Sequence, residues 1–155
     1  MTTDSMKFED LGLSDAMLKS LNKKGFEKPS PIQAKAIPFL LENQKDLIGK
    51  AQTGTGKTAA FGIPLIENLE HNSKHVQAII LAPTRELAIQ VAEELSTFSD
   101  KARIVAIYGG QPIDRQISRL KRGVDIVVGT PGRVMDHLAR NTLDISKISH
   151  IILDE

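Results

Sequence analysis

The stretch Ala51-Gln52-Thr53-Gly54-Thr55-Gly56-Lys57-Thr58 narrows the folds open to this chain more than any other. It has the spacing of a phosphate-binding loop: a small residue, four of any kind, then Gly-Lys-Thr, with Ala51 where glycine is commoner. Gly54 and Gly56 let the backbone curl so that N–H groups from Gln52, Thr53, Thr55 and their neighbours point inward at phosphate oxygens. A helix starting near Gly56 adds the positive end of its dipole to the same anion. Lys57 then reaches the β- and γ-phosphates, and the Thr58 hydroxyl can ligate Mg²⁺. Such a loop needs a buried strand before it and a helix after it. Asp46–Gly49 reads as that strand, and the apolar residues Phe61, Ile63, Leu65, Ile66 and Leu69 read as that helix.

Composition sets the outer limits. With 155 residues, 41% hydrophobic and 25% charged, the chain is expected to form one ordinary soluble globular domain, and only the alternation of its strands and helices makes it α/β. It has no cysteine, which excludes disulfides and thiolate metal sites and suits the cytoplasm. Residues 1–7 lack the apolar core of a signal peptide, and runs such as Ala78–Ala82 are too short to span a bilayer, so no membrane association is expected. The net charge of +1 announces no polyanionic partner, but its distribution is uneven. All seven arginines lie between Arg85 and Arg140, and residues 101–133 carry seven basic side chains against Asp114 and Asp125. Arginine's planar fork suits phosphate.

Taken in order, Ser14 can cap a helix carrying Met17, Leu18 and Leu21, which Gly25 ends. Two prolines hold the stretch Gly25–Gln33 extended, and Pro31 is placed to open the next helix. Strands are predicted at Asp46–Gly49, Gln77–Ala82, Arg103–Tyr108, Asp125–Gly129 and His150–Leu153, alternating with amphipathic helices. Continuous apolar strands in that alternation argue for a mostly parallel sheet covered by helices on both faces. In the helix after Gln111, Ile113, Ile117 and Leu120 form one stripe and Arg115, Arg119 and Arg122 another. The second stripe reads as a solvated charged face, with a secondary, non-specific RNA-contacting surface as the alternative.

In open parallel sheets, ligands sit beyond the carboxyl ends of the strands. The unusual peptides fall there: Pro83-Thr84-Arg85 after the second strand, Gly109-Gly110 after the third, and Thr130-Pro131-Gly132-Arg133 after the fourth. Free N–H groups with a hydroxyl, a glycine or an arginine suit a phosphate backbone without reading bases. Asp154-Glu155 after an apolar strand resembles the second half of a nucleotide site. There, one carboxylate holds the Mg²⁺ hydration shell and the other orients or deprotonates a water. His71 and His75 sit four apart in a loop with no cluster of further ligands, so they are not read as a metal site.

These residues together resemble the amino-terminal RecA-like half of the DEAD-box RNA helicases. The resemblance runs from Phe8 to Glu155, with six motifs in order. Gly25-Phe26 through Pro31-Ile32-Gln33 resembles the family's Q motif, which implies that Phe26 stacks on adenine, Gln33 hydrogen-bonds its edge and Lys28 lies in the same nucleotide-binding stretch. Ala51–Thr58 resembles motif I. Pro83–Ala88, Gly109-Gly110 and Thr130–Arg133 resemble motif Ia, the GG motif and motif Ib. Pro83, Thr84, Arg85, Gly109, Gly110, Thr130, Pro131, Gly132 and Arg133 are thereby implied to hold the backbone of single-stranded or duplex RNA. Asp154-Glu155 match the start of motif II. Lys57, Asp154 and Glu155 are implied to be catalytic, with Thr58 and Asp154 holding Mg²⁺ largely through water.

The implied fold is a RecA-like P-loop NTPase domain, incomplete at its carboxyl end, with a Q-motif region over 1–33 and a partial ATP-binding domain over 34–155. The implied activity is ATP hydrolysis coupled to RNA binding and local duplex unwinding, in partnership with a second RecA-like domain absent here. The fragment alone is expected to be inactive. A nucleotide- and RNA-binding module without turnover, and another phosphate-loop NTPase such as a DNA helicase or a small-molecule kinase, remain as alternatives. In RecA-like sheets the strand after motif II is implied to lie between the strands of motifs I and II. Residues 46–49 and 150–153 are then expected to flank a gap, which would leave the piece without a stable monomeric form.

Overall fold

A computed structural model describes residues 5–42 and 45–155. Residues 1–4, part of the start read above for a signal peptide, lie outside the described residues, as do 43 and 44. The chain divides into two compact units, one running to Asn68 and including Thr97–Asp100, the other comprising Leu69–Ser96 and Lys101–Glu155.

The first unit is helical. A short 3-10 turn at Phe8–Leu11 buries Phe8 and Leu11. Helix α1 (Asp15–Lys23) starts where the Ser14 hydroxyl accepts the Met17 N–H, and it buries Met17 and Leu21. It stops before Gly25, whose φ of 79° is easy only for glycine. Pro31 opens α2 (Pro31–Glu42), which packs on α3 (Lys57–Glu67). Ser14 also ties the start of α1 to the end of α3. Its N–H and its hydroxyl donate to the two Glu67 carboxylate oxygens, at 3.1 and 2.7 Å.

The second unit holds the sheet. Its elements are β1 (Ala78–Leu81), α4 (Arg85–Ser96), β2 (Ile104–Ile107), α5 (Ile113–Lys121), β3 (Ile126–Gly129), α6 (Pro131–Ala139) and β4 (His150–Leu153). The order is β2-β3-β1-β4 with every pairing parallel, Ala78 lying opposite both Ile126 and His150. The path from β1 to β2 runs one way across the sheet, while β2 to β3 and β3 to β4 run the other. Right-handed crossovers therefore set α4 on one face and α5 and α6 on the opposite one. Alternation along the strands matches this. Ile79, Val105, Ile107 and Val127 join Val124, Val134 and Leu143 in one core. The intervening Ala78, Ile80, Ile126 and Val128 are wholly buried on the other face, and α4, packed on β2 and β3, buries Ala88, Val91, Ala92 and Leu95.

The strands begin a residue later than the apolar runs suggest because their first polar residues form a clasp instead. Asp125, 5% exposed, accepts the Arg103 N–H at 2.9 Å, Nε at 3.2 Å and Nη2 at 2.8 Å, together with Gln77 Nε2 at 3.1 Å. Burial alone would raise its pKa. The hydrogen bonds from Arg103 outweigh burial and hold the carboxyl below its ordinary range.

One predicted strand is not formed. Asp46–Gly49 is irregular, with Leu47 43% and Ile48 97% exposed. A strand exists through pairing with a neighbour, and no described residue pairs with this segment. Only four of the five predicted strands are therefore present among the described residues. Helix α3 also stops at Glu67, so Leu69 falls outside it. At the sheet's margin β4 pairs, among the described residues, with β1 alone, and Ile151 and Leu153 are 62% and 76% exposed.

Candidate nucleotide and nucleic-acid sites

In the first unit the phosphate loop takes the form its sequence requires. Gly54 and Gly56 have φ of 80° and 85°, and Gly56 is the N-cap of α3. The Thr55 hydroxyl donates to the Gln52 carbonyl at 2.5 Å and closes the turn, while Gln52 and Thr53 are exposed. Lys57 and Thr58 are the first two residues of α3 and half-buried. The first N–H groups of a helix have no partner within it, so they face the loop's opening. Two left-handed glycines and a three-turn helix make a cradle that fits a polyphosphate.

Gln33 braces this loop. It is 3% exposed, its Oε1 accepts the Ser30 N–H at 3.0 Å and its Nε2 donates to the Gly56 carbonyl at 3.2 Å. A Cβ on Gly56 would come within 2.2 Å of that Nε2 and displace it, and the φ of 85° already favours glycine there. Phe26 is half-buried and meets Phe8 and Phe98 edge-on, each at 6.0 Å between ring centres. The Lys24 ammonium lies 4.1 Å from the Phe98 ring centre and 5.3 Å from that of Phe26. Lys28 is exposed. Neither the Lys24 contacts nor the Gln33–Gly56 bond is legible in the motif spacing.

The carboxylates belong to the second unit. The Asp154 N–H extends the β1–β4 ladder by donating to the Leu81 carbonyl at 2.9 Å. Asp154 is half-buried, and Glu155 is exposed with φ of 72°. Among the described residues no three His, Cys, Asp or Glu side chains group as a metal site.

At the carboxyl ends of β1, β2 and β3 the structure joins the three predicted loops. Arg85, the first residue of α4, lies over the Tyr108 ring at 5.6 Å. Gly110, with φ of 85°, passes so near that a Cβ there would stand 3.3 Å from Arg85 Nη1. The Thr84 hydroxyl accepts the Leu87 N–H at 3.2 Å and caps α4. Pro83, Thr84, Arg85, Gly109, Gly110, Pro131 and Gly132 are all exposed. Thr130 is the half-buried N-cap of α6, and Pro131 is its first residue. Gly129 lets α6 turn directly off β3, since a Cβ there would lie 2.5 Å from Val134 Cγ2 and 2.8 Å from Ile107 Cγ1.

Arg133 differs from Arg85. Its side chain is only 15% exposed, and its Nη1 donates to the Gln111 carbonyl at 2.9 Å and to Gln116 Oε1 at 3.3 Å. Gln116, 1% exposed, is the centre of this network. Its Nε2 donates to the Tyr108 carbonyl at 2.9 Å and to Gln111 Oε1 at 3.0 Å. Both amide hydrogens are thereby used, so Oε1 is an acceptor, and His137 Nε2, 2.9 Å away, must carry a proton. His137 Nδ1 then accepts from the Thr142 hydroxyl at 2.8 Å. Burial first, and the nearby Arg133 charge second, push the imidazole pKa below its ordinary value and keep it neutral.

Gln116 and His137 belong to no predicted motif. A signal was present: each occupies a position on the apolar stripe of its helix, Gln116 between Ile113 and Leu120, His137 three residues after Val134. A polar side chain on such a stripe is buried and must be hydrogen-bonded.

Comparison with known proteins agrees with this geometry. A family model described as DEAD/DEAH box helicase matches residues 30–155. The ATP-dependent RNA helicase DeaD of Escherichia coli K12 is 57% identical over 151 residues, covering 96% of this chain and 24% of that protein. The DEAD-box ATP-dependent RNA helicase CshA of Bacillus subtilis 168 is 52% identical over 153 residues, covering 97% and 31%. The crystal structure of a DEAD box protein from the hyperthermophile Methanococcus jannaschii superposes with a TM-score of 0.92 at 50% identity, over 97% of this chain and 41% of that one. The chain thus spans less than a third of the length of the two helicases.

Proposed function

The chain belongs to the DEAD/DEAH box helicase family, and from that premise we propose that it forms the ATP-binding part of an ATP-dependent RNA helicase, together with one side of its RNA site. In this reading residues 1–33 are the Q-motif region and 34–155 part of the first RecA-like domain, completed by a second such domain. What carries the proposal is the meeting of three strand-end loops at one edge of the sheet, through Arg85, Tyr108 and Gly110 and through Arg133, Gln111 and Gln116. A nucleotide site alone gives no reason for that construction.

Bound Mg²⁺-ATP supplies the anhydride whose hydrolysis drives the cycle. The N–H groups from Gln52 to Thr58 would hold the phosphates, Lys57 would neutralise charge developing on the transferred group, and Thr58 and Asp154 would be the residues to hold the metal, the latter through water. Glu155 orients the attacking water and takes its proton. Phe26 and Gln33 serve the adenine. Along the RNA, Thr84, Arg85 and the N–H groups at the starts of α4 and α6 grip phosphates, an interaction indifferent to sequence. Arg133 serves chiefly by holding the Gly109-Gly110 loop. A cytoplasmic location goes with such a substrate.

Assay of the full-length protein for RNA-stimulated ATP hydrolysis tests this. Lys57→Ala is expected to lower the rate by about a hundredfold or more, the scale of removing one preorganised transition-state donor, while leaving RNA binding in place. Hydrolysis unaffected by RNA, or a near-normal rate in the variant, would overturn the proposal.

A further inference from the structure

On α5 and its C-cap, Arg115, Arg119 and Arg122 recur at intervals of four and three residues, so they share one stripe over about 10 Å. All three are exposed, and among the described residues none forms an ion pair. Like charges at this spacing repel one another along a helix, and the helix dipole favours only those at its end, Arg119 and the C-cap Arg122. The stripe is not a plain convex face. Together with Ala106 on β2, Gln111, Gln116 and Ser118, the three arginines line a cleft of about 270 Å³. The strand on its other side, β2, is an edge strand of the sheet. Arg119 Nη2 donates to the Ile104 carbonyl at 3.4 Å, which ties the stripe to that strand. It begins beside the Gly109-Gly110 loop, whose carbonyl at Gln111 holds Arg133, and runs down β2 toward that strand's start.

We propose that this cleft is a second phosphate-binding track, which continues the path of a single RNA strand beyond the three loops and along the outer edge of β2. The proposal rests on the RNA-binding reading above. Guanidinium groups pair with phosphate oxygens as a planar fork, and three in a row beside a polar wall of Gln111 and Ser118 suit a chain of phosphates. Continuity through Gln111 and Gln116, which serve both the loop network and the cleft wall, favours RNA over an unrelated acidic protein. Contacts of this kind raise affinity for longer strands whatever their sequence, and they raise it most at low salt.

The test uses the full-length helicase and two labelled oligouridines, one just long enough to fill the loops and one about twice that length, titrated over a salt series. Wild type should bind the longer strand more tightly. Arg115→Ala/Arg119→Ala/Arg122→Ala should remove that advantage and lower the salt slope for the long strand by about 2, at about 0.7 per lost phosphate contact on a single strand. Binding of the short strand and the ATPase it stimulates should stay as in wild type. The corresponding triple lysine variant should keep most of the slope, because it keeps the charge. If wild type bound neither strand, the RNA reading itself would fall. Equal affinity of wild type for both lengths, or equal loss of both in the alanine variant, would overturn the track alone. So would RNA binding unchanged in the variant, with an acidic protein partner lost instead.

Discussion

Replacing Gln116 should disturb the RNA site without removing any group that touches RNA. Gln116→Met keeps most of the side-chain volume but removes two donors and one acceptor. His137 is 0% exposed, so its Nε2–H has no route to water and bears the full cost of an unpaired buried donor, about 1–3 kcal/mol. The partners Arg133, Tyr108 and Gln111 are half-buried and can recover water, so each loses only a fraction of a net hydrogen bond, about 0.5 kcal/mol. The sum is about 2.5–4.5 kcal/mol, a large part of the roughly 5–15 kcal/mol that holds a domain. Hydrogen exchange read by segment is the fitting assay, because it reports local opening rather than whole-chain unfolding. At a tenfold change per 1.4 kcal/mol, amides of α6 should exchange roughly 60 to 1,600 times faster, while those of α3 serve as an unaffected reference. RNA affinity should fall with them. Wild-type exchange in α6 of the Gln116→Met protein would refute the claim that this amide holds Arg133 and the Gly109-Gly110 loop together.

Three further outcomes are expected. Gln33→Ala should weaken GTP as well as ATP, by roughly three- to tenfold for one lost hydrogen bond, because the Gly56 carbonyl loses its brace. ATP should suffer further if the amide also reads adenine, and unchanged GTP affinity would argue against the brace. His137, its pKa lowered by burial and by Arg133, contributes stability fully present above the ordinary imidazole value of 6.5 and lost as pH falls toward its folded pKa. Exchange in α6 should therefore quicken on acidification in wild type beyond the trend of α4, and that excess should vanish in His137→Gln. The 155-residue chain alone should self-associate through β4, whose Ile151 and Leu153 are exposed beside an unpaired strand edge. Light scattering should show Ile151→Lys/Leu153→Lys shifting it toward monomer, and a monodisperse wild-type chain would count against this.

Sequence alone determined what depends on local geometry. The phosphate loop is legible because only glycine takes φ near 80° at Gly54 and Gly56 without strain, so the chemistry dictates both residue type and spacing. The same holds for the Ser14 cap, for Pro31 and Pro131 opening helices, and for the parallel sheet implied by continuous apolar strands. Tertiary structure decided whatever depends on distant partners. Leu47-Ile48 has the composition of a buried strand, yet pairing makes a strand and no described residue supplies it. Gln33 is a motif residue in sequence, but its bond to Gly56 joins positions 23 apart and follows from how α2 packs on α3. Arg133 reads as a free phosphate hook until folding buries it against Gln111 and Gln116. Hydrophobic period fixes which face of a helix turns inward. Which polar atoms meet there is settled only when the helices dock, because a buried donor takes whatever acceptor the packing brings within reach.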